Sequence, residues 1–121
     1  MHYSDGMEND FAANWTTQLR KGLLELCVLS ILRDRRLYGY DIVKTLGTLD
    51  GLVISEGTVY PLLNRLKRES FVSTTIEESP DGPARKYYEL TAVGREQLEW
   101  MTATWEHLVT AIRNLQKGAR S

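Results

Sequence analysis

Residues 55–70 carry side chains whose types and spacing could do chemistry: hydroxyls, an amide, a phenol and three cations. Four apolar residues follow the i, i+3, i+4, i+7 spacing of one buried helical side: Val59, Leu62, Leu63 and Leu66. The opposite side carries Gly57, Tyr60, Pro61, Asn64, Arg65, Lys67 and Arg68. Donors, a ring and cations on one face suit phosphates and base edges, so this helix is a candidate nucleic-acid contact.

The start of this helix has two further features. Ser55 is a predicted N-cap, and it leaves backbone N–H groups that can also meet a phosphate. Pro61 lacks a backbone N–H and its ring opposes the carbonyl of Gly57, so we expect a local kink or a late helix start. Most cationic helix faces are merely solvated, so the helix alone does not establish a DNA contact.

The elements before this helix must position it. Residues 15–33 are apolar almost all round, which predicts a central helix covered on several sides. Residues 38–46 fit a second, short helix, and Gly47 is a predicted left-handed C-cap. An apolar linker over 49–54 then leads into the helix described first. This order is that of a helix-turn-helix.

The period changes after residue 70. Apolar and polar residues alternate over 72–77 and again over 85–90, and the Ser-Pro-Asp-Gly-Pro run at 79–83 is a strong turn signal. We therefore predict a two-stranded hairpin that packs on the helices, with Arg85 and Lys86 at its tip. A helix-turn-helix followed by a hairpin is a winged helix.

The last segment predicts one long helix, with Thr91 as N-cap and an end near Gln116. Its apolar seam has spacings of 3, 4, 3, 4 and 3: Leu98, Met101, Trp105, Leu108, Ile112 and Leu115. A helix of about 25 residues is about 37 Å long, more than so small a domain covers. A second copy would bury the seam in a two-fold symmetric dimer. The alternative is that the helix folds back on its own domain.

The predicted fold is mainly α with a small β hairpin, a winged helix-turn-helix followed by a long C-terminal dimerisation helix. We divide the chain into a polar N-terminal arm (1–14), the DNA-binding winged helix-turn-helix (15–90), the dimerisation helix (91–117) and a tail (118–121).

Composition narrows the function. The net charge is −1, so nucleic-acid binding requires a local basic patch rather than bulk charge. The single cysteine, Cys27, excludes an intramolecular disulfide and a multi-thiolate zinc site, and in an apolar helix it acts as a small hydrophobe. His107 on a polar helix side and His2 in the N-terminal arm suggest no metal site. We expect no cofactor and no metal.

Other function classes lack their sequence signals. No nucleophile, base and orienting residue occur at recognisable spacing, and there is no phosphate loop, so we predict that the protein is not an enzyme. The first residues are polar and acidic, unlike a signal peptide, and the longest apolar run, 26–32, is too short to span a bilayer. We therefore expect a cytoplasmic protein without a membrane partner.

Four separate runs match one family. They are Leu-Glu-Leu-Cys-Val-Leu at 24–29, Tyr-Gly-Tyr at 38–40, Gly-Thr-Val-Tyr-Pro-Leu-Leu-Asn-Arg-Leu at 57–66, and Arg-Lys-Tyr-Tyr-Glu-Leu-Thr at 85–91 followed by Gly94. In this order, over roughly residues 18–116, the chain resembles the PadR family of bacterial transcriptional regulators. Its length resembles the short subfamily, which has one C-terminal dimerisation helix.

The resemblance implies a homodimeric repressor whose two recognition helices enter successive major grooves of an inverted-repeat operator in double-stranded DNA. Tyr60 matches the tyrosine that contacts the DNA backbone. The predicted DNA-binding residues are Ser55, Thr58, Tyr60, Asn64, Arg65, Lys67, Arg68, Arg85 and Lys86. In one multidrug-sensing branch, an aromatic residue at the position of Trp105 lines a space between the subunits and stacks on flat ligands. We therefore take a small aromatic effector as a partner, with Trp105 and Trp15 as candidate effector-binding residues.

Two alternatives stay open. The large buried area of a tryptophan at a heptad core position explains Trp105 without any ligand. The second alternative is that this chain is a winged-helix module that binds a protein and no DNA. A cluster of Arg65, Lys67, Arg68 and Arg85 on one surface would favour DNA. Acids that break the same surface would favour a protein partner: Glu56, Glu69, Glu77 and Glu78.

Overall fold

The computed structural model describes residues 5–48 and 55–118, with side chains from residue 11 onward. The elements in chain order are α1 (Asp5–Ile31), β1 (Leu37–Tyr38), α2 (Gly39–Leu46), α3 (Glu56–Arg68), β2 (Val72–Ser79), β3 (Gly82–Leu90) and α4 (Ala92–Lys117). The helical architecture with its small antiparallel sheet confirms the predicted winged helix-turn-helix with a long C-terminal helix. The predicted linker over 49–54, the first four residues of the N-terminal arm and the last three of the tail lie outside the described residues.

Helix α1 begins ten residues earlier than its apolar pattern predicts, so residues 5–14 of the predicted arm are helical. Asp5, Glu8 and Asp10 fall in the first two turns of this helix, and acidic residues are favoured near a helix N-terminus by the positive end of the helix dipole. This signal comes from charge, and hydrophobic periodicity does not detect it. The division of the chain into an arm, a domain, a dimerisation helix and a tail stays a prediction.

The core gathers the inner sides of all four helices and one end of the sheet. Its buried members are Leu24, Val28, Leu29, Leu32, Ile42, Leu46, Val59, Leu63, Leu66, Val72, Tyr88, Leu90 and Leu98. The predicted stripe of α3 is confirmed, because Val59, Leu63 and Leu66 are fully buried and Leu62 packs against them half-buried. Helix α3 begins at Glu56, so the late start expected from Pro61 does not occur.

The sheet has three strands rather than the two that were predicted. Strand β1 pairs with β3 through Leu37 opposite Tyr88 and Tyr38 opposite Tyr87, which gives the order β1-β3-β2. A strand of two residues is too short to show an alternating pattern. Because an isolated hairpin is marginal, β1 matters to the fold: it attaches the β2–β3 wing to the chain between α1 and α2.

The ends of α2 and α3 differ from the prediction. Gly47 is not left-handed: its φ is −69° and its ψ is −15°. The residue with positive φ is Ser70, at 65°, just after α3. There the N–H of Phe71 donates to the carbonyl of Leu66 at 2.9 Å, and that of Ser70 to Lys67 at 3.0 Å. These two bonds form a Schellman motif, so α3 ends with the turn that was expected for α2.

Helix α4 begins as predicted. The hydroxyl of Thr91 accepts a hydrogen bond from the N–H of Gly94 at 2.9 Å, which makes Thr91 the N-cap. The first turns of α4 pack on the core through Gly94, Leu98 and Met101. Beyond them the helix extends along α1 with most of its apolar seam exposed.

Candidate nucleic-acid interface

The outward face of α3 presents the polar residues that the sequence analysis placed there. Ser55, Thr58, Asn64, Lys67 and Arg68 are exposed. Ser55 has the extended backbone of an N-cap, and its carbonyl accepts the N–H groups of Thr58 at 3.0 Å and Val59 at 3.1 Å. Its side chain makes no capping bond and lies 3.3 Å from the Thr58 hydroxyl. The helix start therefore offers two neighbouring hydroxyls at its surface.

Tyr60 is half-buried against the first residue of α2. A Cβ atom added at Gly39 would lie 3.1 Å from a ring carbon of Tyr60 and 3.4 Å from one of Tyr88. Glycine at this position therefore allows the rings to approach the backbone. Burial raises the pKa of Tyr60, and Glu56 and Tyr38 add to the shift. The phenol is thus a neutral O–H donor at physiological pH.

A cavity of about 320 Å³ lies where α2, α3 and the wing meet. Its lining consists of Tyr38, Gly39, Tyr60, Asn64, Lys86 and Tyr88. Three phenols, an amide and an ammonium group supply hydrogen-bond donors and one positive charge, which suits an anionic oxygen. Burial also raises the pKa of Tyr88, so this phenol is neutral as well.

Tyr38 and Tyr88 were not among the DNA-binding residues predicted from the sequence. Tyr38 lies in the Tyr-Gly-Tyr run and Tyr88 in the Arg-Lys-Tyr-Tyr run that match the family, and neither was assigned a role of its own. The sequence signal for these two residues is the set of tyrosines at 38, 40, 87 and 88. It indicates a cluster only when the pairing of β1 with β3 is known, because that pairing brings the two segments together.

Rings and guanidinium groups alternate between the wing and the neighbouring residues 36–38. The guanidinium carbon of Arg85 lies 5.2 Å from the centre of the Tyr38 ring, and that of Arg36 lies 4.5 Å from the Tyr87 ring. Arg36 also forms an ion pair with Glu77. The expectation that Arg85 and Lys86 occupy the hairpin tip is wrong. They stand opposite Glu77 and Ile76 along β3, because the connection is only residues 80–81 and β3 begins at Gly82.

Arg65 differs from the other cations of α3. Its guanidinium donates to the carboxylates of Glu25 on α1 and Glu69 at the end of α3. These hydrogen bonds, the one to Glu25 first, raise the pKa of Arg65. Among the described residues, Lys67 and Arg68 form no ion pair. The structure therefore separates Arg65 from the accessible cations of the same helix.

Two of the four acids that could break the basic surface are engaged with cations. Glu69 pairs with Arg65, and Glu77 pairs with Arg36. Within residues 5–48 and 55–118, the exposed acids Glu56 and Glu78 form no ion pair, and neither do the cations Lys67, Arg68, Arg85 and Lys86. Asp81 and Glu89 of the wing form no ion pair in this part of the chain either, so four unpaired cations are matched by four unpaired acids. Binding of a polyanion therefore depends on the local placement of Lys67, Arg68, Arg85 and Lys86 and not on an excess of positive charge.

A second surface feature lies on α1 and α4. The seam beyond Met101 is exposed: Trp105 is 39% exposed, Leu108 55%, Ile112 52% and Leu115 78%. On α1, Phe11 is 74% and Trp15 62% exposed. A cavity of about 160 Å³ beside Trp105 is lined by Gly22, Leu23, Leu26, Trp100, Met101, Thr104, Trp105 and Leu108. Folding back on its own domain therefore covers only the first turns of α4, and Trp15 does not line this cavity.

Cys27 is half-buried, and burial raises the pKa of its thiol. No three His, Cys, Asp or Glu residues in the described part of the chain are grouped so that they could hold a metal ion. None of the described helices combines the length and hydrophobicity needed to cross a bilayer.

Comparison with known proteins identifies a family that matches this chain. Residues 28–100 match the model of the transcriptional regulator PadR-like family. A PadR-like transcriptional regulator of Bacillus cereus is 40% identical, with 84% of this chain and 98% of that chain covered and a TM-score of 0.74. A PadR family transcriptional regulator of Eggerthella lenta is 31% identical, with 93% and 97% covered and a TM-score of 0.83.

A third relative is an uncharacterised protein of Lysinibacillus sphaericus. It is 26% identical over 100 residues, which cover 81% of this chain and 92% of that protein. The family match spans more than half of the chain and includes α2, α3, the wing and the start of α4. These matches agree with the winged-helix fold and with the polar outward face of α3. The chain belongs to the PadR-like family of DNA-binding transcriptional regulators.

Proposed function

We propose that this protein is a homodimeric repressor that acts in the cytoplasm on an inverted-repeat operator in double-stranded DNA. The observation that carries the proposal is the outward face of α3, where hydroxyl, amide and cationic groups project from a helix whose opposite side is fully buried. Helices of this kind enter the major groove, and their fixed inner side keeps the outer side in register with the bases.

The residues divide between base and backbone contacts. Asn64 is the candidate base-reading residue, because an amide can bond two groups of an adenine edge at once. Lys67 and Arg68 supply positive charge for phosphates, and the hydroxyls of Ser55 and Thr58 can donate to a phosphate or a base near the helix start. Arg65 is the exception, because two carboxylates already occupy its guanidinium.

The cavity lined by Tyr38, Tyr60 and Lys86 is the candidate site for one backbone phosphate. The neutral phenol of Tyr60 donates a hydrogen bond and Lys86 supplies the charge. Arg85, held over the ring of Tyr38, extends the positive surface along the wing. One phosphate at this junction would fix α3 and the wing together on the DNA backbone.

The exposed seam of α4 supports the dimer. Trp105, Leu108, Ile112 and Leu115 follow one another along a single helix side, and isolated subunits would leave them in water. Burying them against a second copy is favourable by about 25 cal/mol for each Å² of apolar surface. A symmetric dimer then presents two α3 helices, as an inverted repeat requires.

A small aromatic effector is the second element of the proposal. The observation that favours it is Trp105, which is partly exposed beside a cavity of about 160 Å³. A flat molecule stacked on this ring would alter DNA affinity only if it preferred one arrangement of the subunits over the other. Trp15, exposed on α1, is the secondary candidate for the same ligand.

A footprinting experiment tests the repressor proposal. The purified protein is incubated with the DNA that precedes its own coding region, because such regulators commonly sit beside their targets. We expect protection of two half-sites whose centres lie about one helical turn, or a small multiple of it, apart. Transcription from that promoter in vitro should fall as protection appears. Binding without sequence-dependent protection, or protection that increases transcription, would contradict the proposal.

A further inference from the structure

One ion-pair network, centred on Arg65, joins α3 to α1. The guanidinium of Arg65 uses two different nitrogens, one for Glu25 and one for Glu69. Glu69 lies one turn further along, at the end of α3, whereas Glu25 lies on α1, forty residues earlier in the chain. The network therefore fixes α3 to α1 as well as closing its own last turn.

The position of Arg65 on α3 explains why its side chain reaches α1. It lies next to Leu66 of the buried stripe, so its side chain starts at the border between the core and the outward face. Its side chain is 43% exposed, against 21% for Glu25. A long side chain that starts at this border can reach either α1 or the solvent, and here it reaches α1.

We propose that Arg65 is a positioning residue for DNA recognition: it fixes the rotation of α3 about its own axis through Glu25 and does not itself contact DNA. The inference rests on the proposed function, in which Asn64 and Thr58 read or contact DNA from the same helix. It replaces the expectation that Arg65 belongs to the DNA-contacting set.

The buried stripe of α3 does not by itself fix the rotation of the helix about its axis. Val59, Leu63 and Leu66 anchor α3 by hydrophobic burial, which has no direction of its own and permits small rotations of the helix. A guanidinium is planar and holds carboxylates in defined directions, so it removes this freedom. A helix already fixed in the rotation that the groove requires loses less entropy on binding.

Charge also argues against a phosphate contact by Arg65. Its single positive charge is matched by two carboxylates, so the network as a whole is negative by one unit. Moving Arg65 to a phosphate would leave the part-buried Glu25 without its partner, and an uncompensated, partly buried charge is unfavourable. Lys67 and Arg68 form no ion pair with any described residue, so a phosphate contact by either of them leaves no carboxylate unpaired.

The test compares Arg65→Gln, Glu25→Gln and Arg68→Gln by measuring affinity for the footprinted DNA at several salt concentrations. We expect Arg65→Gln and Glu25→Gln to weaken binding by a similar factor, roughly twofold to fivefold, with an unchanged salt slope. The double variant should lose little more than either single variant. Arg65→Lys should recover part of the loss. Arg68→Gln, the matched control on the same helix, should flatten the slope by about 0.9 units.

A measurement without DNA separates this inference from the proposed function. Amide hydrogen exchange in α3 should become faster in Arg65→Gln and in Glu25→Gln, with exchange in α4 unchanged, and Arg68→Gln should leave both helices unchanged. If the wild type binds no specific DNA, the proposed function fails and the exchange result still tests the positioning role. Unchanged exchange in α3 would overturn the inference. So would a flattened salt slope in Arg65→Gln together with undiminished affinity in Glu25→Gln.

Discussion

Gly94 of α4 lies directly against the backbone of Phe71, which follows the turn at the end of α3. A Cβ atom added at Gly94 would overlap the carbonyl oxygen of Phe71 and lie 2.8 Å from its carbonyl carbon. The same carbonyl accepts the N–H of Thr91 at 3.1 Å, and the Thr91 hydroxyl donates to the carbonyl of Ser70 at 2.6 Å. The start of the long helix is thereby fixed on the segment that follows α3.

Gly94→Ala should destabilise the protein by about 2–3 kcal/mol, because the clash is with backbone and cannot be relieved by a rotamer change. Denaturant unfolding monitored by circular dichroism measures the loss. The matched control is Gly22→Ala in α1, where an added Cβ would have no neighbour within 4 Å. This control should be neutral or stabilising by about 0.5–1 kcal/mol. Equal stability of the Gly94 variant and the wild type would show that this close approach is absent.

Ser70→Gly should stabilise the protein by up to about 1 kcal/mol. Ser70 has a φ of 65°, a conformation in which a Cβ is unfavourable and glycine is not. The greater freedom of glycine in the unfolded chain offsets part of the gain. Ser70→Ala retains the Cβ and should give no gain. A Gly variant that melts below the Ala variant would contradict the assigned backbone conformation.

Leu108→Asp should weaken the proposed dimer, because it places a charge in the seam that the second copy is expected to cover. Analytical ultracentrifugation at micromolar concentration should show a dimer for the wild type and a larger monomer fraction for the variant. His107→Asp changes the neighbouring exposed residue outside the seam and should remain dimeric. A monomeric wild type would remove the basis for the dimer.

Trp105→Ala tests the effector proposal. Planar cationic dyes should quench tryptophan fluorescence in the wild type and also lower its affinity for the operator. Trp15 and Trp100 emit as well, so only quenching that disappears in Trp105→Ala reports this site. Trp100→Ala is the matched control: it removes the other tryptophan of the same cavity and keeps Trp105, so the quenching should persist. Dye binding that leaves operator affinity unchanged would make Trp105 a packing residue.

The sequence predicted those features that depend on local periodicity. The stripe Val59, Leu63 and Leu66 and the cap at Thr91 require only residues within two turns of one another, and both are confirmed. Strand β1 could not be predicted, because its two residues become a strand only through pairing with β3. The bond from Arg65 to Glu25 spans forty residues and has no spacing signal.

The ends of the helices also show which features can be predicted from local sequence and which cannot. Glycine is the usual left-handed residue, so Gly47 was the natural prediction, yet the positive φ is at Ser70. The hydrogen bond from Thr91 to the carbonyl of Ser70 comes from a distant part of the chain and adds to the constraint on that turn. Tertiary contacts of this kind override a local residue preference.

The central claim, that the outward face of α3 binds DNA, is tested most directly by the salt dependence of operator affinity in Lys67→Ala and Asn64→Ala. Fluorescence anisotropy is measured for the wild type and both variants, with the footprinted DNA and with a scrambled duplex, at several salt concentrations. Lys67→Ala should weaken binding to both duplexes and flatten the salt slope by about 0.9 units, as expected for one lost phosphate contact. Asn64→Ala should reduce the preference for the operator, by about 1–3 kcal/mol, and leave the slope unchanged. Wild-type affinity, slope and preference in both variants would place the DNA-binding surface elsewhere on the protein.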